Sequence, residues 1–159
     1  MTERSAAHAT FTVERDLAFA PATVFRAFSD AEAKLRWFGP PDGAPMDYAL
    51  DFRVGGREHA GAGEPTSEGS FTFDAVYHDI VPGERIVYTY GMTMNGRPIS
   101  ASVATIVLVP TATGTHVRLT EQGVFLDGLD QNAARERGTN ELLDALAASL
   151  AAQPAGVAG

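Results

Sequence analysis

The chain has no cysteine and a single lysine, Lys34, among its 159 residues. The lack of cysteine excludes thiol catalysis, cysteine-ligated zinc and iron–sulfur clusters. Cations are scarce throughout, since 12 Lys and Arg stand against 20 Asp and Glu, for a formal charge of −8. Nucleic acids are held largely by cations that contact phosphates. The composition therefore argues against a nucleic-acid partner.

Long apolar runs are also missing. No stretch approaches the roughly 18 apolar residues of a membrane span, and residues 1–10 lack the apolar segment of a signal peptide. We therefore expect a cytoplasmic protein without a membrane span. A chain of 159 residues can build a full core without disulfides or a structural metal. We expect one domain over residues 11–152, with a flexible N-terminus at 1–10 and a flexible tail at 153–159.

The periodicity of the first 40 residues predicts a strand and two short helices. Apolar residues alternate from Phe11 to Phe19, as in a half-buried strand. Pro21 is suited to the first turn of a helix. Ser29 and Glu32 have the spacing of a capping box, which predicts a second helix from about Asp30. This helix should end at residues 39–41, the sequence Gly-Pro-Pro.

The rest of the chain predicts an antiparallel sheet followed by one long helix. A period of two runs from Met46 to Gln122 through about six strands, and the short links between them require antiparallel pairing. Gly55-Gly56 suits a type I′ hairpin, because both central residues of that turn have positive φ. From about Asp130 to Ala152, apolar residues recur at helical spacing without a proline. The fold class is therefore α+β.

Several short motifs follow one another in a distinctive order: Ala-Pro at 20–21 with Val-Phe-Arg-Ala at 24–27, Arg-Trp-Phe-Gly-Pro at 36–40, Asp-Phe-Arg-Val-Gly-Gly-Arg at 51–57, Val-Pro-Gly-Glu-Arg-Ile-Val-Tyr at 81–88 and Gly-Thr-His-Val-Arg-Leu-Thr at 114–120. Their order and spacing resemble the START-related helix-grip (SRPBCC) superfamily. Within it they resemble bacterial proteins similar to the activator of heat shock protein 90 ATPase. The resemblance implies a curved antiparallel sheet wrapped round a long C-terminal helix, with two short helices after the first strand.

Two positions depart from the pattern of that family. Val54 stands where the family usually has proline, a change that should affect only the entry to the hairpin. Gly138-Thr139 stands where the family commonly has Gly-Trp. A large aromatic side chain is thus replaced by a small one, and we hypothesise that the vacated volume enlarges a cavity between helix and sheet.

The sequence contains no recognisable catalytic or metal-binding set. The four histidines are scattered, without a His-x-x-x-His spacing on a helix. There is no Gly-x-Ser-x-Gly, and the glycine-rich segments are not followed by a helix that could complete a phosphate loop. We therefore assign no catalytic residue, no metal ligand and no cofactor.

The aromatic residues suggest a binding cavity instead. Such a cavity would use apolar and aromatic walls with a few orienting polar groups, and the candidates are Trp37, Phe38, Tyr48, Phe52, Phe73, Tyr88, Glu121, Arg135, Thr139 and Leu143. For each aromatic residue, plain core packing is the alternative. For Arg135 the alternative is a solvated pair with Glu136 near the start of the helix.

The resemblance implies three classes of function. The first is binding of a small hydrophobic ligand, such as a lipid, a polyketide or an aromatic metabolite, between the sheet and the C-terminal helix. The alternative is an enzyme of the cyclase or dehydratase type acting on such a ligand, and the third is a stress protein that contacts a chaperone. Binding is favoured because the sequence offers aromatic residues but no assembled acid–base set. An exposed edge strand or the outer sheet face could support a homodimer.

Overall fold

The structure, a computed structural model, describes residues 3–40, 42–64 and 67–153. In chain order its elements are β1 (Ala6–Leu17), α1 (Pro21–Ser29), α2 (Ala31–Leu35), β2 (Asp47–Leu50), β3 (Arg57–Ala62), β4 (Phe71–Val81), β5 (Arg85–Met94), β6 (Arg97–Thr111), β7 (Gly114–Leu126) and α3 (Asn132–Ala151). The seven strands form one antiparallel sheet in the order β1-β7-β6-β5-β4-β3-β2. This arrangement confirms the predicted α+β helix-grip fold.

The main core lies where α1 and α3 cover one face of the curved sheet. The buried residues of α3 recur every three or four positions and are Thr139, Leu143, Leu146 and Leu150. The last three pack in one cluster with α1 and with inward residues of the sheet, including Val24, Phe28, Tyr77, Ile86, Ile106 and Val117. Fully burying one such apolar side chain contributes roughly 1.5–3 kcal/mol. This cluster therefore fixes α3 across the sheet. Within the described ranges, no helix combines the length and apolarity needed to cross a bilayer.

The first and last strands pair further than the alternation predicts. β1 begins at Ala6 instead of Phe11, and residues 6–10 pair with residues 122–126 of β7. β7 in turn continues past the predicted end at Gln122 to Leu126. The folded unit therefore extends to Ala6. Of the predicted tail at 153–159, all but Gln153 lies outside the described residues.

The link between β2 and β3 differs from the predicted type I′ hairpin. β2 ends at Leu50, and six residues, 51–56, connect it to β3. Gly55 has a φ of 82°, but Gly56 is not among the residues with positive φ. Gly56 is needed for another reason, since a Cβ there would lie 2.1 Å from the carbonyl oxygen of Asp51. The prediction of the turn type was therefore wrong.

The second helix begins as predicted, but with a different cap. Ser29 is the last residue of α1, and Asp30 is the N-cap of α2. The Asp30 carboxylate accepts a hydrogen bond from the backbone N–H of Ala33 at 3.0 Å. An N-cap carboxylate satisfies one of the free N–H groups of the first turn, so the Ser29–Glu32 capping box is not used.

Candidate functional site

A cavity of about 480 Å³ lies between the concave face of the sheet and the N-terminal half of α3. Its remaining side is the segment after α2, where Trp37, Phe38, Gly39 and Pro40 contribute. Pockets for small molecules usually measure about 300–1,000 Å³ and are mostly apolar. This cavity has the size and character of such a pocket.

Aromatic rings form a continuous wall of the cavity. Phe38, from the segment after α2, has its ring centre 5.9 Å from that of Trp37 and 5.2 Å from that of Phe73 on β4. The Phe73 ring lies 4.7 Å from that of Tyr90, which is 5.9 Å from that of Tyr88 on the same strand. Edge-to-face and tilted contacts at these distances are the arrangements that aromatic pairs favour. An apolar ligand would therefore meet a preformed wall.

Trp37 is fixed by both its polar atom and its ring. Its Nε1–H donates to the carbonyl oxygen of Ala27 in α1 at 3.0 Å, and its ring packs edge to face on Phe28 at 5.1 Å. The indole donor is thus used within the protein. Trp37 therefore offers a ligand its ring rather than a hydrogen bond.

The first polar group in the wall is built around Lys34 and Glu58. The Lys34 ammonium donates to both carboxylate oxygens of Glu58, at 2.8 and 2.7 Å, and lies 4.6 Å above the Phe38 ring. The hydroxyls of Tyr77 and Tyr48 donate to Oε1 and Oε2 of Glu58, each at 2.6 Å. These four side chains thus satisfy one another's hydrogen-bonding groups at the edge of the cavity.

The sheet register makes room for this cluster. Glu58 on β3 lies opposite Ala75 on β4, whose small side chain leaves space for the carboxylate. Burial lowers the pKa of Lys34, an effect that Glu58 partly offsets. Burial, reinforced by the Glu58 carboxylate, raises the pKa of Tyr77 and Tyr48. Both phenols therefore stay protonated as donors.

The second polar group joins Glu121 of β7 to Arg135 of α3 through a tyrosine. The Tyr90 hydroxyl donates to Oε1 of Glu121 and accepts from Nη1 of Arg135 at 2.9 Å. Nη2 of Arg135 donates to Oγ of Ser100 at 2.7 Å and to the Asp130 carboxylate at 2.6 Å. Glu121 and Arg135 therefore converge on one hydroxyl, and the ion pair of Arg135 is with Asp130.

Glu121 reaches this position because its neighbour on β6 is small. Ala104 lies between Tyr88 of β5 and Glu121 of β7 in the register of the sheet. Burial raises the pKa of Glu121, against the opposing effects of Tyr90 and Arg135. In the described part of the chain, no side chain or backbone group donates a hydrogen bond to Oε2 of Glu121. This oxygen is available to a ligand.

The structure brings eight of the ten candidate residues together in the cavity wall: Trp37, Phe38, Phe73, Tyr88, Glu121, Arg135, Thr139 and Leu143. Tyr48 and Phe52 lie outside the lining. The Tyr48 hydroxyl donates a hydrogen bond to Glu58. Phe52 is partly buried and packs against the main core, with its ring centre 5.6 Å from that of Phe25 and 4.9 Å from that of Tyr77. For Phe52, core packing is the observed role.

The candidate set omitted several residues of the lining: Lys34, Met46, Phe71, Tyr90, Met92, Gly138 and Leu142. A signal existed for Lys34, because it precedes Trp37 by three and Phe38 by four residues and so shares their face of a helical segment. Phe71 and Met92 likewise share strand parity with Phe73 and Tyr90. Among the described residues, no group of three His, Asp or Glu side chains is placed to hold a metal ion.

Two small residues of α3 face the open volume. Thr139 lines the cavity, and its hydroxyl donates to the carbonyl oxygen of Arg135 at 2.9 Å, which turns its polar atom back to the helix. A Cβ built on Gly138 would meet no atom within 4 Å. The space beside this turn of α3 is therefore open.

Most of the chain matches a known protein family. The family described as activator of Hsp90 ATPase homolog 1-like protein matches residues 18–151. No curated protein matches the chain.

Three solved structures illustrate the similarity. A protein from Rhizobium leguminosarum is 43% identical with a TM-score of 0.89, over 96% of this chain and 100% of that one. One from Rhizobium loti is 43% identical with a TM-score of 0.82, over 91% of this chain and 99% of that one. One from Chromobacterium violaceum is 28% identical with a TM-score of 0.74, over 91% and 98%.

The family match spans most of the chain, and the structural relatives share its complete fold. The resemblance drawn from the sequence motifs is thereby confirmed. The chain belongs to the family of activator of Hsp90 ATPase homolog 1-like proteins, within the helix-grip superfamily.

Proposed function

We propose that the protein binds a small hydrophobic molecule in the cavity between the sheet and α3. The carrying observation is an apolar, aromatic-walled space of about 480 Å³ next to the packed main core. Protein interiors are normally packed with few voids larger than a water molecule. Membership of the family supports a ligand-binding role in general.

The lining of the cavity suits an apolar ligand. The walls combine the aromatic series from Trp37 to Tyr88 with Leu143 and the open turn at Gly138. A lipid chain, a polyketide or an aromatic metabolite would bury most of its apolar surface there. Such burial contributes roughly 25 cal/mol per Å² removed from water.

The binding test uses the uncharged dye N-phenyl-1-naphthylamine, which fluoresces in apolar surroundings. The dye should bind the wild-type protein saturably. The variant Thr139→Trp places an indole in the cavity and should weaken binding at least about tenfold, or 1.4 kcal/mol. Glu141→Trp adds the same side chain at an exposed position of α3 and should leave the affinity unchanged. Equal affinity for the wild type and Thr139→Trp would place the dye elsewhere and contradict the proposal.

Native mass spectrometry of the purified protein provides a second test. A hydrophobic species should co-purify with the wild-type protein and be depleted from Thr139→Trp. Spectra that stay empty across several preparations, together with no dye binding, would remove the support for a binding cavity.

One observation favours the alternative of an enzyme acting on the bound molecule. Glu121, Tyr90 and Arg135 converge within hydrogen-bond distance at the cavity wall, and burial raises the pKa of Glu121. A carboxyl group with a raised pKa and a free oxygen can exchange a proton with a carbonyl or hydroxyl group of a ligand. This arrangement fits a dehydration or cyclisation in which Glu121 would act as the acid or base.

The two functions predict different molecules bound to the Glu121→Gln variant when it and the wild type are purified from the same expression host. If Glu121 transfers protons, this variant should hold the unreacted precursor while the wild type holds the product or nothing. If the protein only binds, both should hold the same molecule. Mass spectrometry of the extracted species separates these outcomes.

A further inference from the structure

The charges around the cavity are paired unequally. Three side chains that are charged in their usual forms line it, namely Lys34, Arg135 and Glu121. Lys34 is matched by Glu58 at 2.7 Å and Arg135 by Asp130 at 2.6 Å. Each cation thus has a carboxylate of its own, and neither is left to receive an anionic ligand.

Among the described residues of the lining, Glu121 is the one carboxyl group, and it has no dedicated cation. Its described partner is the Tyr90 hydroxyl, while Arg135 contacts that hydroxyl from the other side. Burial raises its pKa, which favours the uncharged acid. Tyr88 and Tyr90 also face the cavity, and burial raises their pKa values too, so both stay uncharged. The remaining described wall residues carry no ionisable group.

An anion entering this space would lose its hydration without gaining a counter-charge, and burying an unpaired charge is expensive. An ammonium group would meet Lys34 and Arg135 as well as Glu121. An uncharged ligand avoids both penalties. Its hydroxyl or carbonyl oxygen can form a hydrogen bond with Oε2 of Glu121, the carboxyl oxygen that the described residues leave without a partner.

We propose that the cavity selects uncharged amphiphilic molecules that carry a hydroxyl or carbonyl oxygen, and that it rejects carboxylic acids and amines with the same carbon skeleton. This inference rests on the proposed binding function and specifies its ligand class. The selection comes from the charge balance of the wall, in which each cation is paired with a carboxylate, and not from the shape of the cavity.

The test compares 1-decanol, decanoate and decylamine, which share an alkyl chain, by isothermal titration calorimetry at pH 7 and below their aggregation concentrations. Decanol should bind at least about tenfold more tightly than either charged molecule. Decanoate or decylamine binding as tightly as decanol would overturn the inference.

A variant tests the pairing itself. Asp130→Asn replaces the carboxylate that neutralises Arg135 with an uncharged side chain of nearly the same shape. Arg135 can then attract an anion, so the ratio of decanoate affinity to decanol affinity should rise several-fold. Asp79→Asn is the matched control, because Asp79 pairs with Arg85 at 2.6 Å on the protein surface. It should leave that ratio unchanged. An unchanged ratio in Asp130→Asn would show that pairing of Arg135 does not determine selectivity.

Failure of this inference can be told from failure of the proposed function. If N-phenyl-1-naphthylamine binds and decanoate rivals decanol, the cavity binds ligands but does not select by charge. If neither the dye nor decanol binds, the cavity is not a binding site and both proposals fail.

Discussion

Lys34 is the only lysine of the chain, and it is 3% exposed. A lone buried cation persists only when it is paired and hydrogen-bonded, and here Glu58 and the Phe38 ring surround it. The cluster ties α2 to β3 and so positions the segment that closes the cavity. A side chain absent from the candidate set thus supports the site.

Replacing Lys34 with methionine should lower the free energy of unfolding by about 3–5 kcal/mol, because Glu58 would be left as an uncompensated buried charge. The double variant Lys34→Met with Glu58→Gln should recover part of this loss. Urea unfolding measures both. Asp79→Asn, which breaks an exposed ion pair, should change stability little. A double variant no more stable than Lys34→Met alone would argue against charge burial as the cause.

His116 on β7 is a second residue whose partners were not evident from the sequence. Its Nε2 lies 3.0 Å from Glu14 and its Nδ1 2.8 Å from Asp16, both on β1. Hydrogen bonds to Glu14 and then Asp16 raise the pKa of His116 above 6.5. The charged ring therefore stabilises the pairing of β1 with β7.

The pH dependence follows from the direction of this shift. The stabilisation by His116 should be complete below the unfolded-state pKa of about 6.5 and should be lost as the pH rises through the higher folded-state pKa. NMR titration of the imidazole gives the folded value. In the double variant Glu14→Gln with Asp16→Asn that value should fall towards 6.5, and a value unaffected by the double substitution would contradict the assignment.

At the scale of elements, α3 combines a buried stripe with one opening. Leu143, Leu146 and Leu150 anchor its C-terminal half in the main core, whereas Gly138 and Thr139 leave space above the sheet. Glycine in a helix interior is destabilising relative to alanine. Gly138 therefore makes the helix less stable at the turn that borders the cavity than alanine would.

Gly138→Ala should raise the free energy of unfolding by about 0.5–1 kcal/mol, since alanine is the better helix former and its Cβ meets nothing within 4 Å. Gly56→Ala is the contrasting substitution, because its Cβ would lie 2.1 Å from the Asp51 carbonyl oxygen. It should destabilise by about 1–3 kcal/mol. Thermal or urea unfolding measures the two changes. Equal effects of the same sign would contradict the distinction between open space and close backbone approach.

In the molecule as a whole, the cavity lies next to the main core and shares Phe28, Trp37, Leu119 and Leu143 with it. The cluster around Leu146 holds α1, α3 and the sheet together, while Phe73 and Tyr90 of the aromatic wall belong to a second cluster. An empty cavity therefore need not prevent folding. A ligand that fills it should add stability to an already folded domain.

An uncharged ligand at about 100 times its Kd should stabilise the protein by about 2.7 kcal/mol through mass action. For a domain of this size the Tm should rise by about 5–10 °C. Differential scanning calorimetry with 1-decanol measures this shift. The shift should disappear in Thr139→Trp and persist in Glu141→Trp. A shift that survives in Thr139→Trp would indicate binding outside the cavity.

The class of fold follows from the order of residues alone, because hydrophobic periodicity is a local property. The alternation of Ile86, Tyr88, Tyr90 and Met92 specified one face of β5, and the turn at Asn95-Gly96 has positive φ at both residues, 53° and 76°. The helical spacing of Leu143, Leu146 and Leu150 specified α3. Much of the cavity wall followed from the same patterns.

The pairing of side chains from distant segments, in contrast, depends on how the chain packs in three dimensions. Asp130 is the ion-pair partner of Arg135, Phe52 packs against the main core, and Lys34 lines the cavity. Periodicity shows which face a side chain occupies but not how deep it lies or what lies opposite. Those outcomes depend on helix docking and on sheet register, which places Ala75 beside Glu58 and Ala104 beside Glu121.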